Sequence, residues 1–218
     1  IGVFLERLDL HTQRAVLRKL SEEKASEALA EMHAEDSAEI VSAMREFRAV
    51  KILESLGPDD AADLISELDS EARARLLSKM HSDKALTVRK LLRYDPDTAG
   101  GVMTPLVPTV RENLTVNQAI EHVRHLRKDI ENIYDLYVVS SRNILKGSIS
   151  LRQLILADSD VQINALMKTG LEGVCYVDQD KEEVARKMAE YNLREIPVIA
   201  KNGVILGVVT HDDVIDIL

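Results

Sequence analysis

The feature that most constrains the fold is an internal duplication, in which two stretches of the C-terminal half repeat at an offset of 60 residues. The segment 136–139 (LYVV) corresponds to 196–199 (IPVI), and 147–155 (GSISLRQLI) corresponds to 207–215 (GVVTHDDVI). Each copy is predicted to form a strand, a turn, a second strand that ends at a small hydroxyl residue, and a helix. Duplicated units of this kind predict two half-sites that face one another, which is typical of ligand-sensing modules rather than of catalytic ones.

The first ninety residues carry a second repeat, with a period of twelve. A leucine or methionine recurs at this interval: Leu8, Leu20, Met32, Met44, Leu56, Leu68, Met80 and Leu92. An apolar or small residue lies four positions before each one, which marks one face of a short helix. Helices are expected to break just after each anchor, where His33 and His81 are predicted to be capping residues rather than ligands. Helices this short need neighbours, so we expect a superhelical stack.

Composition narrows the possible functions. The net charge of −9 argues against non-specific binding of nucleic acid or anionic membranes and favours cations as partners. The single cysteine, Cys175, lies in an apolar run and is expected to be a small buried hydrophobe. No apolar run is long enough to cross a membrane, and no phosphate loop, nucleophile elbow or zinc-ligand set is present, so an enzyme is not expected. Because the chain begins at Ile1, we expect a fragment of a longer protein.

The remaining elements follow from periodicity and turn residues. Prolines and glycines between Tyr94 and Thr104 mark the boundary between the two halves. Thr115 and Gln118 have the spacing of a helix capping box, and Asn202-Gly203 is a hairpin turn signal. We predict strands over 106–110, 133–139, 144–149, 173–177, 195–199 and 204–209, and helices over 114–126, 151–157, 181–191 and 211–217.

The duplicated copies resemble tandem CBS domains, because the segment 207–213 (GVVTHDD) matches their glycine, hydroxyl and acid signature. The hydroxyl and carboxylate of that signature hold a ribose or cap the last helix, and both roles stay open here. The first copy has Ser150 but places Gln153 where the acid belongs, so nucleotide binding is expected to be weaker in that half. The candidate nucleotide-binding residues are Ser150, Thr210 and Asp213.

The whole chain is similar to the cytosolic region of MgtE-type magnesium transporters, because a helical array precedes the CBS pair and joins it through 98–104 (TAGGVMT). The motifs Ile133-Tyr134 and 150–152 (SLR) add to the likeness. The resemblance implies an α+β multidomain fold, with an N-terminal all-α superhelical array of short helices followed by a tandem CBS-domain pair of α/β type. The implied domains are an MgtE N-terminal helical domain over 1–97, a first CBS domain over 98–160 and a second over 161–218.

The resemblance also implies magnesium sites between the helical array, the CBS domains and a following connecting helix. Asn192 stands where the family commonly has a carboxylate, so its site is expected to be weaker or water-mediated. Independently of the resemblance, Asp59 and Asp63 are four residues apart and Asp213 and Asp216 three apart, so each pair shares a helix face. Carboxylates suit magnesium, although any one of them can equally be part of a solvated helix face. The implied ligands are Glu27, Asp59, Asp63, the carbonyl of Gly101, Asp180, Glu182, the carbonyl of Ala189, Asn192, Asp213 and Asp216.

Two functions from different classes remain open. The resemblance implies a magnesium-sensing regulatory region of an MgtE-type channel, in which Mg²⁺ docks the helical domain on the CBS pair and closes the pore. It further implies a parent protein at the cytoplasmic face of the bacterial inner membrane, a homodimer formed through the CBS domains, a pore domain on the same parent chain, no nucleic-acid partner, and Mg²⁺ with ATP or another adenylate as ligands. The alternative is a soluble adenylate-binding CBS regulatory protein with a helical interaction domain, and Gln153 counts mildly against it.

Overall fold

The computed structural model describes residues 1–126, 133–170 and 173–217. For Val3, Asp216 and Ile217 it describes the backbone but not the side chain. The chain divides into two compact units, Ile1–Tyr94 and Asp95–Leu218. Among the described residues, no helix has the length and apolar character needed to cross a membrane.

The first unit is an array of short helices. The residues that precede α2 to α8 recur every twelve positions, from Asp9 to His81, so the predicted period and its breaks are confirmed. The described residues of this unit form α1 (Gly2–Leu5), α2 (Leu10–Leu17), α3 (Glu22–Ala30), α4 (Ala34–Ser42), α5 (Glu46–Ser55), α6 (Pro58–Ser66), α7 (Ser70–Lys79) and α8 (Ser82–Leu91).

Packing in this unit follows the alternation of the helices. Each helix contacts the next but one along the chain, so α1, α3, α5 and α7 form one row and α2, α4, α6 and α8 form another. The interior is aliphatic, with Leu17, Ile40, Ile52 and Ile65 fully buried. A helix of two or three turns is marginal alone, and this burial between neighbours stabilises it.

Two helix starts are capped in a way that differs from the prediction. His33 and His81 occupy N-cap positions, but their side chains make no capping hydrogen bond. Instead, the carboxylate of Glu6 accepts the backbone N–H of His33 at 2.7 Å, and that of Glu54 accepts the backbone N–H of His81 at 2.6 Å. Each glutamate lies 27 residues before its histidine, so a neighbouring part of the array supplies the cap.

The second unit contains two sheets of three strands each, in the orders β1-β2-β3 and β4-β5-β6. In both sheets the first two strands are parallel and the last two are antiparallel. The two copies therefore have the same topology, as the duplication predicts. The strands are β1 (Thr109–Arg111), β2 (Asp135–Val139), β3 (Leu145–Ser150), β4 (Cys175–Tyr176), β5 (Glu195–Ile199) and β6 (Ile205–Thr210). The helices are α9 (Val116–Arg124), α10 (Leu151–Leu156), α11 (Ile163–Leu166), α12 (Lys181–Tyr191) and α13 (His211–Ile217).

Several boundaries differ from the predicted ones. The strand predicted over 106–110 begins only after Pro108, because proline has no N–H to donate to a sheet. The helix predicted over 114–126 begins after Thr115, where the predicted capping box with Gln118 is confirmed. The strands predicted over 133–139 and 173–177 are shorter, and α11 is an additional helix that the sequence pattern did not predict.

Two local predictions in this unit are confirmed. Gly203 has a φ of +82°, as the Asn202-Gly203 turn requires, and the first hairpin turns through Asn143 with a φ of +59°. Cys175 is fully buried, and that burial raises the pKa of its thiol to about 12. The thiol therefore stays protonated and unreactive at neutral pH.

Candidate functional site

The hydroxyl residue that ends the third strand of each sheet is hydrogen-bonded to the first turn of the following helix. The Oγ of Ser150 accepts the N–H of Gln153 at 3.2 Å, and its hydroxyl lies 2.9 Å from Oε1 of the same glutamine. In the second copy, the Asp213 carboxylate accepts both the N–H and the hydroxyl of Thr210, at 3.1 and 2.5 Å. Gln153 therefore makes the same kind of contact as the acid that it replaces.

An open surface cavity of about 450 Å³ lies beside Ser150, and Tyr134, Arg152 and Arg194, which line it, are exposed. Its lining residues come from the first copy, with Arg194 as the contribution of the second. Within the described residues, Thr210 and Asp213 do not line it, whereas the sequence predicted that the second copy would be the stronger nucleotide half-site. The lining is formed by Ile133, Tyr134, Asp135, Ser150, Leu151, Arg152 and Arg194.

The charge of the cavity distinguishes it from the equivalent place in the second copy. At the offset of 60 residues, Tyr134 corresponds to Arg194, and Arg152 corresponds to Asp212. The guanidinium carbon of Arg194 lies 4.6 Å from the centre of the Tyr134 ring, so the two equivalent side chains stack across the two modules. Two guanidinium groups and one carboxylate, that of Asp135, line the cavity, and this lining favours an anionic ligand.

Sequence reasoning did not select the cavity residues Tyr134, Arg152 and Arg194 as site residues. For Tyr134 and Arg194 the available sequence signal is the register of the duplication, which makes them equivalent positions but does not show that they are in contact. The motif residues Tyr134 and Arg152 fall outside the glycine, hydroxyl and acid signature, yet the same 60-residue offset places Arg194 opposite Tyr134.

A polar pair, buried Tyr137 and half-buried Glu195, joins β2 to β5. Tyr137 is 4% exposed, and its hydroxyl is hydrogen-bonded to the carboxyl group of Glu195. Burial, together with the nearby charge of Asp135, raises the pKa of Glu195, while the Tyr137 hydrogen bond acts in the opposite direction. Among the described residues, Oε1 of Glu195 is buried without a hydrogen-bond partner. The environment therefore disfavours the ionised form of this carboxyl group.

The predicted magnesium ligands of the first unit lie on two of its helices. Glu27 is exposed on α3, and Asp63 is exposed on α6, one turn after Asp59. A Cβ placed on Gly57 would lie 3.0 Å from Oδ1 of Asp59 and 3.1 Å from Oδ2 of Asp60, so both carboxylates fold over the start of α6. Negative charge is favourable there because the helix N-terminus carries partial positive charge.

The junction between the two halves of the sequence is held on the segment before α12. The N–H of Ala99 donates to the carbonyl of Gln179 at 2.7 Å, and that of Gly100 donates to the carbonyl of Val177 at 2.9 Å. Gly101 follows directly, and a side chain there would collide with the carbonyl of Asp95. The predicted carbonyl ligand is thus part of a tightly packed turn.

The other predicted ligands of the second unit lie on α12 and α13. Asp180 caps the start of α12 by accepting the N–H groups of Glu182 at 2.9 Å and Glu183 at 3.1 Å. Asn192 ends the helix in the left-handed region, with a φ of +50°, and its N–H donates to the carbonyl of Ala189 at 3.3 Å. The 11 residues of α12 rise about 16 Å, so these two pairs lie at opposite ends of the helix.

The structure thus gathers the predicted metal ligands into pairs rather than into a complete site. Asp213 lies in the first turn of α13, which packs against α12. The predicted ligand Asp216 has its carboxylate outside the described residues. The part of the chain that the structure describes contains no group of three or more His, Cys, Asp or Glu side chains arranged to hold a metal ion. The magnesium assignment therefore stays a prediction.

Comparisons by sequence and by structure relate the chain to the same group of known proteins. Residues 1–97 match the MgtE intracellular N domain, and residues 99–160 and 164–218 match the CBS domain. A magnesium transporter MgtE from Thermus thermophilus is 44% identical over 133 residues, which are 60% of this chain and 29% of that protein. The chain therefore spans less than a third of the curated relatives that it matches.

Two solved structures are similar over nearly the whole chain. One is the cytosolic domain of the Mg²⁺ channel MgtE in complex with ATP, with a TM-score of 0.92 and 36% identity over 99% of this chain and 88% of that one. The other is the soluble part of a magnesium transporter, with a TM-score of 0.86 and 31% identity over 99% of this chain and 85% of that one.

Proposed function

The chain belongs to the family of MgtE magnesium transporters, and we propose that it is the magnesium-sensing regulatory region of such a transporter. In this proposal Mg²⁺ binds where carboxylates of the helical array approach those of the CBS pair. The docked arrangement holds the pore of the parent protein shut. The observation that carries the proposal is the likeness of 99% of the chain to the cytosolic domain of the Mg²⁺ channel MgtE.

The physical basis is that facing carboxylates repel one another without the ion and are held together when the ion bridges them. Two carboxylates about 4 Å apart repel by on the order of 1 kcal/mol in water, so several facing pairs keep the two units apart. A bridging Mg²⁺ replaces that repulsion by attraction, whereas monovalent salt only screens it. An ion that binds only the docked arrangement shifts the population towards it, so high magnesium closes the pore and low magnesium opens it.

The pairs described above are compatible with magnesium chemistry. Magnesium keeps several of its waters and is commonly held by one or two carboxylates, so a shared site needs few ligands from each side. We propose that the array supplies Glu27, Asp59 and Asp63. The CBS side supplies the carbonyls of Gly101 and Ala189 and the side chains of Asp180, Glu182, Asn192, Asp213 and Asp216.

Limited proteolysis of the junction 94–104 tests this proposal. Magnesium at constant ionic strength is expected to slow cleavage relative to a sodium control, and the pair Asp59→Ala and Asp213→Ala is expected to weaken that protection. The matched control is Asp36→Ala with Asp212→Ala, which removes the same charge from the first turns of α4 and α13. Equal loss of protection in both double variants, or no magnesium effect at all, would contradict the assigned ligands.

We also propose that the cavity beside Ser150 binds an adenylate. In this proposal Arg152 and Arg194, which line the cavity, hold the phosphates, and the carboxylate of Asp135 accepts ribose hydroxyls. Calorimetry without metal is expected to show that Arg152→Ala weakens ATP binding, while Thr210→Ala leaves it nearly unchanged. The reverse result would return the nucleotide site to the second copy.

The same cavity supports a second candidate function, that of an adenylate-binding CBS regulator whose helical array binds another protein. Tight ATP binding combined with no response of the junction to magnesium would favour this candidate. A response to magnesium that persists without nucleotide would favour the magnesium sensor.

The partners proposed for the chain are a second copy and the pore domain of the same parent protein, at the cytoplasmic face of the bacterial inner membrane. Ile155 and Ile215, equivalent positions of α10 and α13, are 71% and 63% exposed, and Leu156 is 73% exposed. Exposed aliphatic side chains on equivalent helices suit a homodimer through the CBS modules. Ile155→Lys with Ile215→Lys is expected to give a monomer in light scattering, whereas Leu86→Lys on α8 should leave a dimer.

A further inference from the structure

The stacked pair Tyr134 and Arg194 brings two chemically different side chains together at equivalent positions of the duplication. Both line the cavity, and the guanidinium carbon lies 4.6 Å from the ring centre. One face of the Tyr134 ring is therefore covered by a cation rather than open to a ligand base. The aromatic contact that a base would otherwise make is reduced on that face.

The stack leaves the donors of Arg194 usable. A guanidinium group is planar and carries its N–H donors in that plane, so a group stacked face-on against a ring presents its edge to a neighbouring anion. Arg152 lines the same cavity from the start of α10. The cavity is thus lined by one arginine from each module, and each guanidinium group can bind one phosphate through two hydrogen bonds.

The two arginines of the cavity contrast with the negative charge of the rest of the protein. The chain has a net charge of −9, and the position of the second copy that is equivalent to Arg152 holds Asp212. An anionic ligand is therefore directed to the first half of the pair and away from the second.

Resting on the proposed binding of adenylates in this cavity, we propose that Arg194 makes the site select by phosphate number. Nucleoside triphosphates and diphosphates bind in preference to monophosphates and nucleosides. A single phosphate is bound by Arg152, and the second guanidinium group contributes fully only when a further phosphate reaches it. Arg194 is thus the residue that determines specificity for the polyphosphate.

Calorimetry with EDTA present, using ATP, ADP, AMP, adenosine and inorganic triphosphate on the full chain, tests this. Losing one charge-assisted interaction is expected to weaken ATP binding roughly tenfold in Arg194→Leu while changing AMP binding little, so the ratio of the two affinities collapses. Arg194→Lys keeps the charge without the planar fork and should fall between. Arg142→Leu, in the turn between β2 and β3, is the matched control that should behave as the unmodified chain.

The outcomes separate this inference from the proposal on which it rests. Adenylate binding with an unchanged ratio of ATP to AMP affinity in Arg194→Leu overturns the role of Arg194 and leaves the adenylate site standing. Binding of inorganic triphosphate that depends on Arg194, with no gain from the adenosine part, supports the polyphosphate role and removes the adenylate assignment. No binding of any of these probes by the unmodified chain overturns both.

Discussion

Glu195 contacts the other module through Tyr137, and this contact places its carboxyl group where the charged form is unfavourable. It occupies the position equivalent to Asp135, yet its carboxyl group is enclosed against Tyr137 and has one buried oxygen without a described partner. Burial raises its pKa, so the folded protein holds a proton there at pH values where the unfolded chain has released it. Between the two pKa values the folded state binds more protons, and stability falls as pH rises through that window.

Glu195→Gln is expected to remove this pH-dependent penalty. Stability should be nearly equal to that of the unmodified chain below the ordinary glutamate pKa and higher above the raised pKa, because an amide oxygen still accepts the Tyr137 hydroxyl. Thermal melts of both proteins at several pH values measure the difference. Acids with lowered pKa, such as Asp178 beside Lys201, affect both proteins equally and cancel in the comparison. A difference that does not change with pH would contradict the buried charge.

The sequence specifies single residues well only where the partner is near in the chain. The capping box of Thr115 follows from its spacing of three residues to Gln118, and its hydrogen bonds are present. Arg194 could not be selected in this way, because its importance depends on a contact with Tyr134 that only the folded pair of modules creates.

At the scale of the element, the start of α8 depends on a side chain from α5. Oε1 of Glu54 accepts the backbone N–H of His81 at 2.6 Å, and ring Nδ1 of His81 lies 2.7 Å from the same oxygen. Burial opposes the charge of Glu54, but the hydrogen bonds from His81 and the charge of Lys84 outweigh it and lower the pKa of Glu54. A carboxylate with a lowered pKa stabilises the fold at neutral pH, and this stabilisation is lost as pH falls through the lowered value.

Glu54→Ala is expected to destabilise the first turn of α8 by on the order of 1 kcal/mol, the usual effect of losing an N-cap acceptor. Amide hydrogen exchange at the start of α8 should become roughly fivefold faster at neutral pH. His81→Ala is the control, since it keeps the backbone N–H and loses only the exposed ring. Exchange that accelerates equally in both variants would show that the bond between the histidine ring and Glu54, and not the cap on the backbone N–H, supports the helix.

Helix positions in the first unit were predictable because the twelve-residue period indicates where each helix ends. The N-cap residues of the helices recur at the same spacing. Strand ends in the second unit were less predictable. Pro108 shortens β1, and β4 keeps only Cys175 and Tyr176 in pairing with β5. The four-residue helix α11 is too short for its periodicity to be distinguished from that of a turn.

At the scale of the whole molecule, the sequence predicted the order and type of both halves. The aliphatic repeat produces the helical unit, and the duplication produces the two sheets. The candidate ligands were predictable as pairs on helix faces, since i and i+4 spacing depends on one helix alone. A site shared between two units cannot be derived in this way, because it depends on how the units meet when the ion is present.

Small-angle scattering with and without magnesium tests the central proposal most directly. At constant ionic strength, magnesium is expected to lower the radius of gyration of the protein, because bridging of Asp59 and Asp63 to carboxylates such as Asp180 and Asp213 docks the array on the CBS pair. The double variant Asp59→Ala and Asp213→Ala should show a smaller change while each unit keeps its helical content. An identical radius of gyration in magnesium and in the matched sodium control would contradict the magnesium sensor.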